Sequence, residues 1–304
     1  MNLTQILNPP SGLPLLEILA ISLILGMMHG ATPDEHTWPI TFSYAIGKYS
    51  TKSGMKAGLL FSAGFTAQRA FLTTIGFLGL AAFYQKYSLD GPVYIVVGFV
   101  MTVAGSYVLK GKYLHLPIDA LLRGGRHHSV QPERVPIHEA ELKEVPLKMT
   151  VVHGLVAGFG FGAYATIITF ILAPQVPSVY YAPLPGVFFG IGTMAMQIVF
   201  GAIFANIARA KKLSEEEVKY VGTATAGRTL YYGGIAFALV GLLILLLPSI
   251  DAFAVYTGNP IPNLNAINVG FLLVVGVVGG VGITSIIKSF SEISKVKQKG
   301  QIKA

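Results

Sequence analysis

Residues 29–36 read His-Gly-Ala-Thr-Pro-Asp-Glu-His inside an otherwise apolar stretch. Ionisable groups are costly in hydrocarbon, and where they occur they mark a functional place by default. Two imidazoles beside carboxylates suit a borderline divalent ion such as nickel, cobalt or zinc, and a chain with no cysteine argues against copper(I). His29, Asp34 and His36 are therefore the leading candidate metal ligands, with Glu35 and His153 as lesser ones. Spacing sets a condition on this reading. Seven residues of straight helix rise about 10.5 Å, whereas ligand nitrogens sit about 2.1 Å from a metal. One ion reaches both histidines only if the helix breaks, and Gly30 and Pro33 permit that break. A structural alternative competes. Thr32-Pro33-Asp34-Glu35 has the form of a capping box with proline at the first helical position, in which Glu35 would close a helix start.

Two further charges lie in apolar segments, Arg69 in TAQRAFL and Arg228 in TAGRTLY. Each could pair with a carboxylate or cap carbonyls, Arg69 with Asp34 or Glu35 in particular; together they could instead bind an anion. His153 follows Lys148 by five residues, which suggests either an uptake or release ligand or an interfacial histidine. His115, His127, His128 and His138 fall in a long polar connector that could collect metal.

These residues need elements to hold them. The chain has 304 residues, 53% apolar and 12% charged, against about 25% charged in average soluble domains. Segments long enough to cross a bilayer occur at about 15–47 (interrupted), 56–83, 91–110, 148–172, 184–208, 220–247 and 264–288. The expected fold is an all-α polytopic membrane protein with about seven transmembrane helices, forming one domain. Repeat 1 would cover about 15–110, a cytoplasmic loop 111–147, repeat 2 about 148–248, an extra helix 264–288 and a basic tail 289–304. Lys48, Lys52, Lys56, Arg209, Lys211, Lys212, Lys219 and the Lys-rich tail share one side, and Lys86 stands on the other. The positive-inside rule places the C-terminus in the cytoplasm and, with seven crossings, the N-terminus outside. The net charge of +8 is then topology, and nucleic acid is not an expected partner. The N-terminus lacks a basic leader, so no cleaved signal peptide is expected.

Laying residues 26–67 on 154–195 without gaps matches eleven of 42 positions: Gly26/Gly154, Gly30/Gly158, Ile40/Ile168, Thr41/Thr169, Phe42/Phe170, Ala45/Ala173, Ser50/Ser178, Gly58/Gly186, Phe61/Phe189, Gly64/Gly192 and Ala67/Ala195. So biased a composition gives about three or four by chance. Three crossings separate the copies, which predicts two inverted three-helix repeats plus one helix. Pro33 then faces Phe161 of GFGFG, so helices 1 and 4 are both interrupted near mid-bilayer, a pointer to a transport site. Tyr164 and Gln197 fall opposite His36 and Arg69 as polar candidates for the same cavity.

With these motifs in place the chain resembles the nickel/cobalt transporter family. LGMMHGATPDEHTW resembles its His-x4-Asp-His signature with one added residue, matching His29, Asp34 and His36 and leaving Asp34 or Glu35 for the acidic position. FSAGFT at Phe61–Thr66, VAGFGFGAYAT at Val156–Thr166 and FFGIGTMAMQI at Phe188–Ile198 resemble three later family segments, across roughly residues 20–205. The family's later histidine is Phe65 here, and its later acidic positions are glycine or alanine in helix 4 and Gln197 in helix 5. The resemblance implies a multi-pass permease of the cytoplasmic membrane with Ni²⁺ or Co²⁺ as its transported substrate and no covalent cofactor. A homo-oligomer is compatible with this. A secondary transporter is expected, proton-coupled because the ligands bind metal only when deprotonated; no nucleotide-binding Gly-x4-Gly-Lys-Ser/Thr motif is present, so any ATP dependence would require a partner. An enzyme is not expected, because a His-Glu-x-x-His set is lacking. The alternatives are a small-anion transporter using Arg69 and Arg228, or a non-transporting metal-delivery accessory protein.

Overall fold

A computed structural model describes residues 2–48, 50–79, 90–110, 147–160, 162–207 and 213–301. Lys86, Phe161, Arg209, Lys211, Lys212, the four loop histidines and nearly all of the 111–147 connector lie outside these residues. Helix makes up 79% of the structure. A short α1 (Leu3–Leu7) precedes α2 (Leu15–Ala31), α3 (Trp38–Ile46), α4 (Thr51–Phe77) and α5 (Asp90–Lys110). After the connector come α6 (Leu147–Ala157) and α7 (Ala163–Thr166), the latter continued by a π-helical turn at Ile167–Leu172, then α8 (Leu184–Ile207) and α9 (Glu215–Leu246). The last elements are α10 (Val269–Val274), a π-helical turn at Val275–Gly282 and α11 (Ile283–Gln301).

Four of these are long and apolar enough to cross a membrane: Gly91–Leu109, Val179–Ile207, Glu216–Leu246 and Val269–Lys295. Their outward side chains are large and apolar, with Phe99 66% and Leu246 68% exposed. Such a surface suits lipid, and the protein is membrane-embedded by this measure. The α4 helix is long but less apolar, since it carries Ser62, Gln68, Arg69 and Thr73 on its buried face. The first and fourth apolar segments are broken, at 32–37 and 158–162, so neither has a piece of spanning length. Almost no sheet is present among the described residues: a two-stranded antiparallel hairpin, β1 (Ala254–Tyr256) and β2 (Ala266–Asn268), stands in the 248–268 connection of an otherwise helical chain. The last helix runs from Ile283 through Gln301, into the basic tail.

Glycine decides how the helices meet. On α5, Gly91, Gly98 and Gly105 recur every seven residues and press onto Gly241, Gly234 and Gly227 or the adjacent Tyr231 backbone of antiparallel α9. On α4, Gly54 meets Gly201 and Gly58 meets the Gln197 carbonyl of antiparallel α8. Small residues at such crossings let backbones approach main chain to main chain. A second regularity joins distant contacts. Gly26 packs on the Phe189 carbonyl, and Gly154 on the Phe61 carbonyl. Gly192 meets the Leu23 carbonyl and Gly64 that of Val151; Gly186 meets the carbonyl of Arg69 and Gly58 that of Gln197. Adding 128 to one member of each contact and subtracting 128 from the other turns it into its mate.

Candidate metal site at the first helix break

The α2 helix ends because Pro33 has no N–H to continue the ladder and excludes helix from the residue before it. Thr32 caps the end, its N–H and hydroxyl both donating to the Met28 carbonyl (2.9 Å each). Helix resumes at Trp38, after Thr37. The capping box is therefore not formed: Asp34 and Glu35 lie in the turn between two half-helices. Breaking the helix also strands the Gly30 carbonyl, which takes hydrogen bonds from Gln197 Nε2 (3.2 Å) and Trp38 Nε1 (3.4 Å).

The break draws the candidate ligands together. Asp34 is central: its Oδ2 lies 3.5 Å from His29 Nδ1, and its Oδ1 lies 3.9 Å from His36 Nδ1 and accepts the His36 backbone N–H (2.9 Å). Glu35 Oε1 is 3.3 Å from His36 Nδ1 and accepts the Tyr94 hydroxyl (3.0 Å). One ligand atom each from Asp34, Glu35 and His36 fall within 4.8 Å of one another, a grouping able to hold a metal ion. Glu35 is thus a principal member, and the choice between it and Asp34 dissolves, since both face His36. His29 joins through the other oxygen of Asp34. The Nε2 atoms of both histidines are buried without a hydrogen-bond partner. Buried polar atoms normally find one; the ring atoms set against the carboxylates are the Nδ1 atoms, and His36 Nε2 faces Gly160 instead.

Aromatic rings fix the imidazoles. His29 stacks against both Phe65 and Phe189 (centroids 5.5 and 5.1 Å), which also touch each other, with the Tyr164 ring edge-on at 5.8 Å. His36 lies 5.3 Å from Tyr94 and rests on Gly160 of the second break, where any side chain would occupy the space of the ring. Arg69 donates to the Gly160 carbonyl (2.6 Å), with its guanidinium 4.7 Å from the centre of the Phe65 ring. Arg69 thus caps a stranded carbonyl beside the site. Towards the hairpin side, burial together with the charge of Glu35 raises Asp251 above the usual carboxylate range.

Other candidates lie elsewhere. Arg228 makes a two-pronged pair with Glu292 (2.9 Å to each oxygen) and donates to Ser289 Oγ (3.0 Å). This fulfils the ion-pair reading for Arg228. His153 is buried between helices, its Nδ1 2.7 Å from the Tyr44 hydroxyl and 2.9 Å from the Met149 carbonyl, and stands apart from the Asp34 group. Sequence reasoning missed Tyr94, Gly160 and Asn263, whose amide donates to Asp34 Oδ2 (3.3 Å). A lone tyrosine in an apolar span was the one available signal. Comparison with protein-family models, curated proteins and solved structures returns no match for this chain.

Proposed function

We propose that this chain is a secondary transporter of a transition-metal dication, nickel or cobalt before others, in the cytoplasmic membrane, of the nickel/cobalt transporter type. The observation that carries this reading is the Asp34–Glu35–His36 group, with Asp34 and His36 buried and His29 on the far side of Asp34. Two carboxylates beside one guanidinium leave a net charge of −1, which favours a cation over an anion. Imidazole and carboxylate suit these metals. Imidazole must be neutral to bind, so loading releases protons and weakens as pH falls, which is the chemical basis for proton coupling.

The reciprocal glycine contacts offset by 128 residues support two inverted three-helix repeats, α2–α5 and α6–α9, with α10–α11 as an extra seventh crossing. In that arrangement the two breaks sit near mid-bilayer, and rocking of one repeat against the other exposes the site alternately. The basic residues put the C-terminus in the cytoplasm. The small-anion alternative has weaker support, because Arg228 is matched by Glu292 and Arg69 holds the Gly160 carbonyl. The test is calorimetric titration of the purified protein with Ni²⁺, Co²⁺ and Zn²⁺ beside His29→Ala and His36→Ala. Micromolar binding with proton release, lost in both variants, is expected. Binding that survives both substitutions, or none in the wild type, defeats the metal reading. Flux into vesicles then separates a transporter from an accessory protein that binds without moving its cargo.

A further inference from the structure

The hairpin between α9 and α10 reaches into the break. Its tip, Gly258-Asn259-Pro260-Ile261-Pro262-Asn263, brings Pro262 and Asn263 against the site from a sequence distance of more than two hundred residues. The Asn263 amide donates to both Asp34 Oδ2 and Thr32 Oγ1 (3.3 Å each), and the Pro262 carbonyl accepts the Tyr164 hydroxyl (3.1 Å). One loop therefore holds a residue of the first break and one on the helix that follows the second. The tip is braced internally: the Thr257 hydroxyl donates to the Leu264 carbonyl (2.6 Å), and Asn259 Oδ1 accepts the Ile261 N–H (2.9 Å). Asn263 has φ +65°, a left-handed conformation that asparagine tolerates better than most residues.

We propose that Asn263 is a further residue of the cation site, positioning Asp34, and that the hairpin carrying it is the gate on the side away from the basic loops. With the hairpin down, Asn263 occupies one lone-pair direction of the Asp34 oxygen nearest His29. It orients that carboxylate and covers the approach to it. Withdrawal of the tip frees Asp34 and Tyr164 together and opens the break to the outside. The internal bracing lets the tip move as one body, with Gly258 (φ +81°) at its base. This rests on the metal-site reading above, and on the positive-inside orientation for which side is outer.

The absence of cysteine makes a clean test. Thr32→Cys/Asn263→Cys is joined with a short, reducible, thiol-specific cross-linker, and Ni²⁺ association and dissociation are followed by stopped flow in detergent. Before cross-linking, the double variant with both thiols capped by methyl methanethiosulfonate should bind Ni²⁺ with the lowered affinity of Asn263→Ala, which verifies its fold. Cross-linking should stop exchange in both directions, and reductant should restore it. In parallel, Asn263→Ala should lower Ni²⁺ affinity by about tenfold, the scale of losing a partner that orients a ligand. Unchanged exchange in the cross-linked protein overturns the gate while leaving the metal site standing. Unchanged affinity in Asn263→Ala removes the positioning role. If the wild type binds neither Ni²⁺ nor Co²⁺, the site reading itself falls, and this inference falls with it.

Discussion

The two helix breaks occupy equivalent places and carry opposite chemistry. The first, at 32–37, is dense with Asp34, Glu35 and His36; the second, at 158–162, is Gly-Phe-Gly-Phe-Gly. Their scaffolds nevertheless correspond. A side chain from the opposite helix meets a stranded carbonyl in each, Gln197 at Gly30 and Arg69 at Gly160, and those two residues are themselves 128 apart. The second break gives the first what a charged copy could not, room and a dipole. Gly160 leaves space for the His36 ring and turns its carbonyl to Arg69. Matching backbone contacts do not require matching chemistry, and the uncharged break forms a wall for the charged one.

Experiments that separate the two breaks sharpen this contrast. The largest effect is expected from Asp34→Asn, which removes the charge shared by both histidines and should take Ni²⁺ binding below calorimetric detection. Next comes Gly160→Ala, at the wall. Its methyl displaces the His36 ring, and affinity should drop by about 10–100-fold, as for loss of groups that orient a ligand. Gly162→Ala is the control, since its methyl would meet nothing nearer than Asp34 Oδ2 at 3.9 Å and should leave affinity unchanged. Equal affinity in the two glycine variants would show that the second break does not shape the first.

Gly26→Val and Gly154→Val probe the scaffold instead of the site. Each forces a side chain onto a carbonyl of the opposite helix, and overpacking of this kind costs about 1–3 kcal/mol. Because the contacts are mates, thermal unfolding in detergent should show similar losses; a large inequality would break the correspondence. Tyr94→Phe takes one hydrogen bond from Glu35, worth about 1.5 kcal/mol to a charged acceptor, so Ni²⁺ should bind about tenfold more weakly. The smallest change is expected from Arg228→Gln. The Glu292 pair is partly exposed, so stability should fall by about 0–1 kcal/mol with Ni²⁺ affinity intact. Loss of Ni²⁺ binding there would return Arg228 to the site.

What the sequence disclosed follows the range of the interactions. Both breaks were legible because proline and clustered glycine act locally. The 128-residue offset was legible because its matched positions include those where backbones cross, Gly26, Gly58, Gly64 and their partners, and only glycine fits there. Long-range pairings were not legible. Glu292 meets Arg228 from 64 residues away, Tyr44 meets His153 from 109, and Asn263 meets Asp34 from 229. No local pattern encodes such a partner. Glu35 was read as a helix cap because its neighbours favour one; the cost of burying its charge beside His36 is met by Tyr94, which lies on another helix.

The seven-residue glycine stripes on α5 and α9 have a consequence for tolerance to change. Where side chains interlock, a core can absorb a substitution by trading one shape for another. Where main chain touches main chain there is nothing to trade, and the separation of the two helices is set by the peptide itself. The α4–α8 seam is of the same kind at Gly54 and Gly58, and Arg69 and Gln197 stand on those helices. The separation of the helices that carry Arg69 and Gln197 is therefore held as by a jig, so the surroundings of the two breaks can be altered by exchanging side chains and not by relaxing the frame.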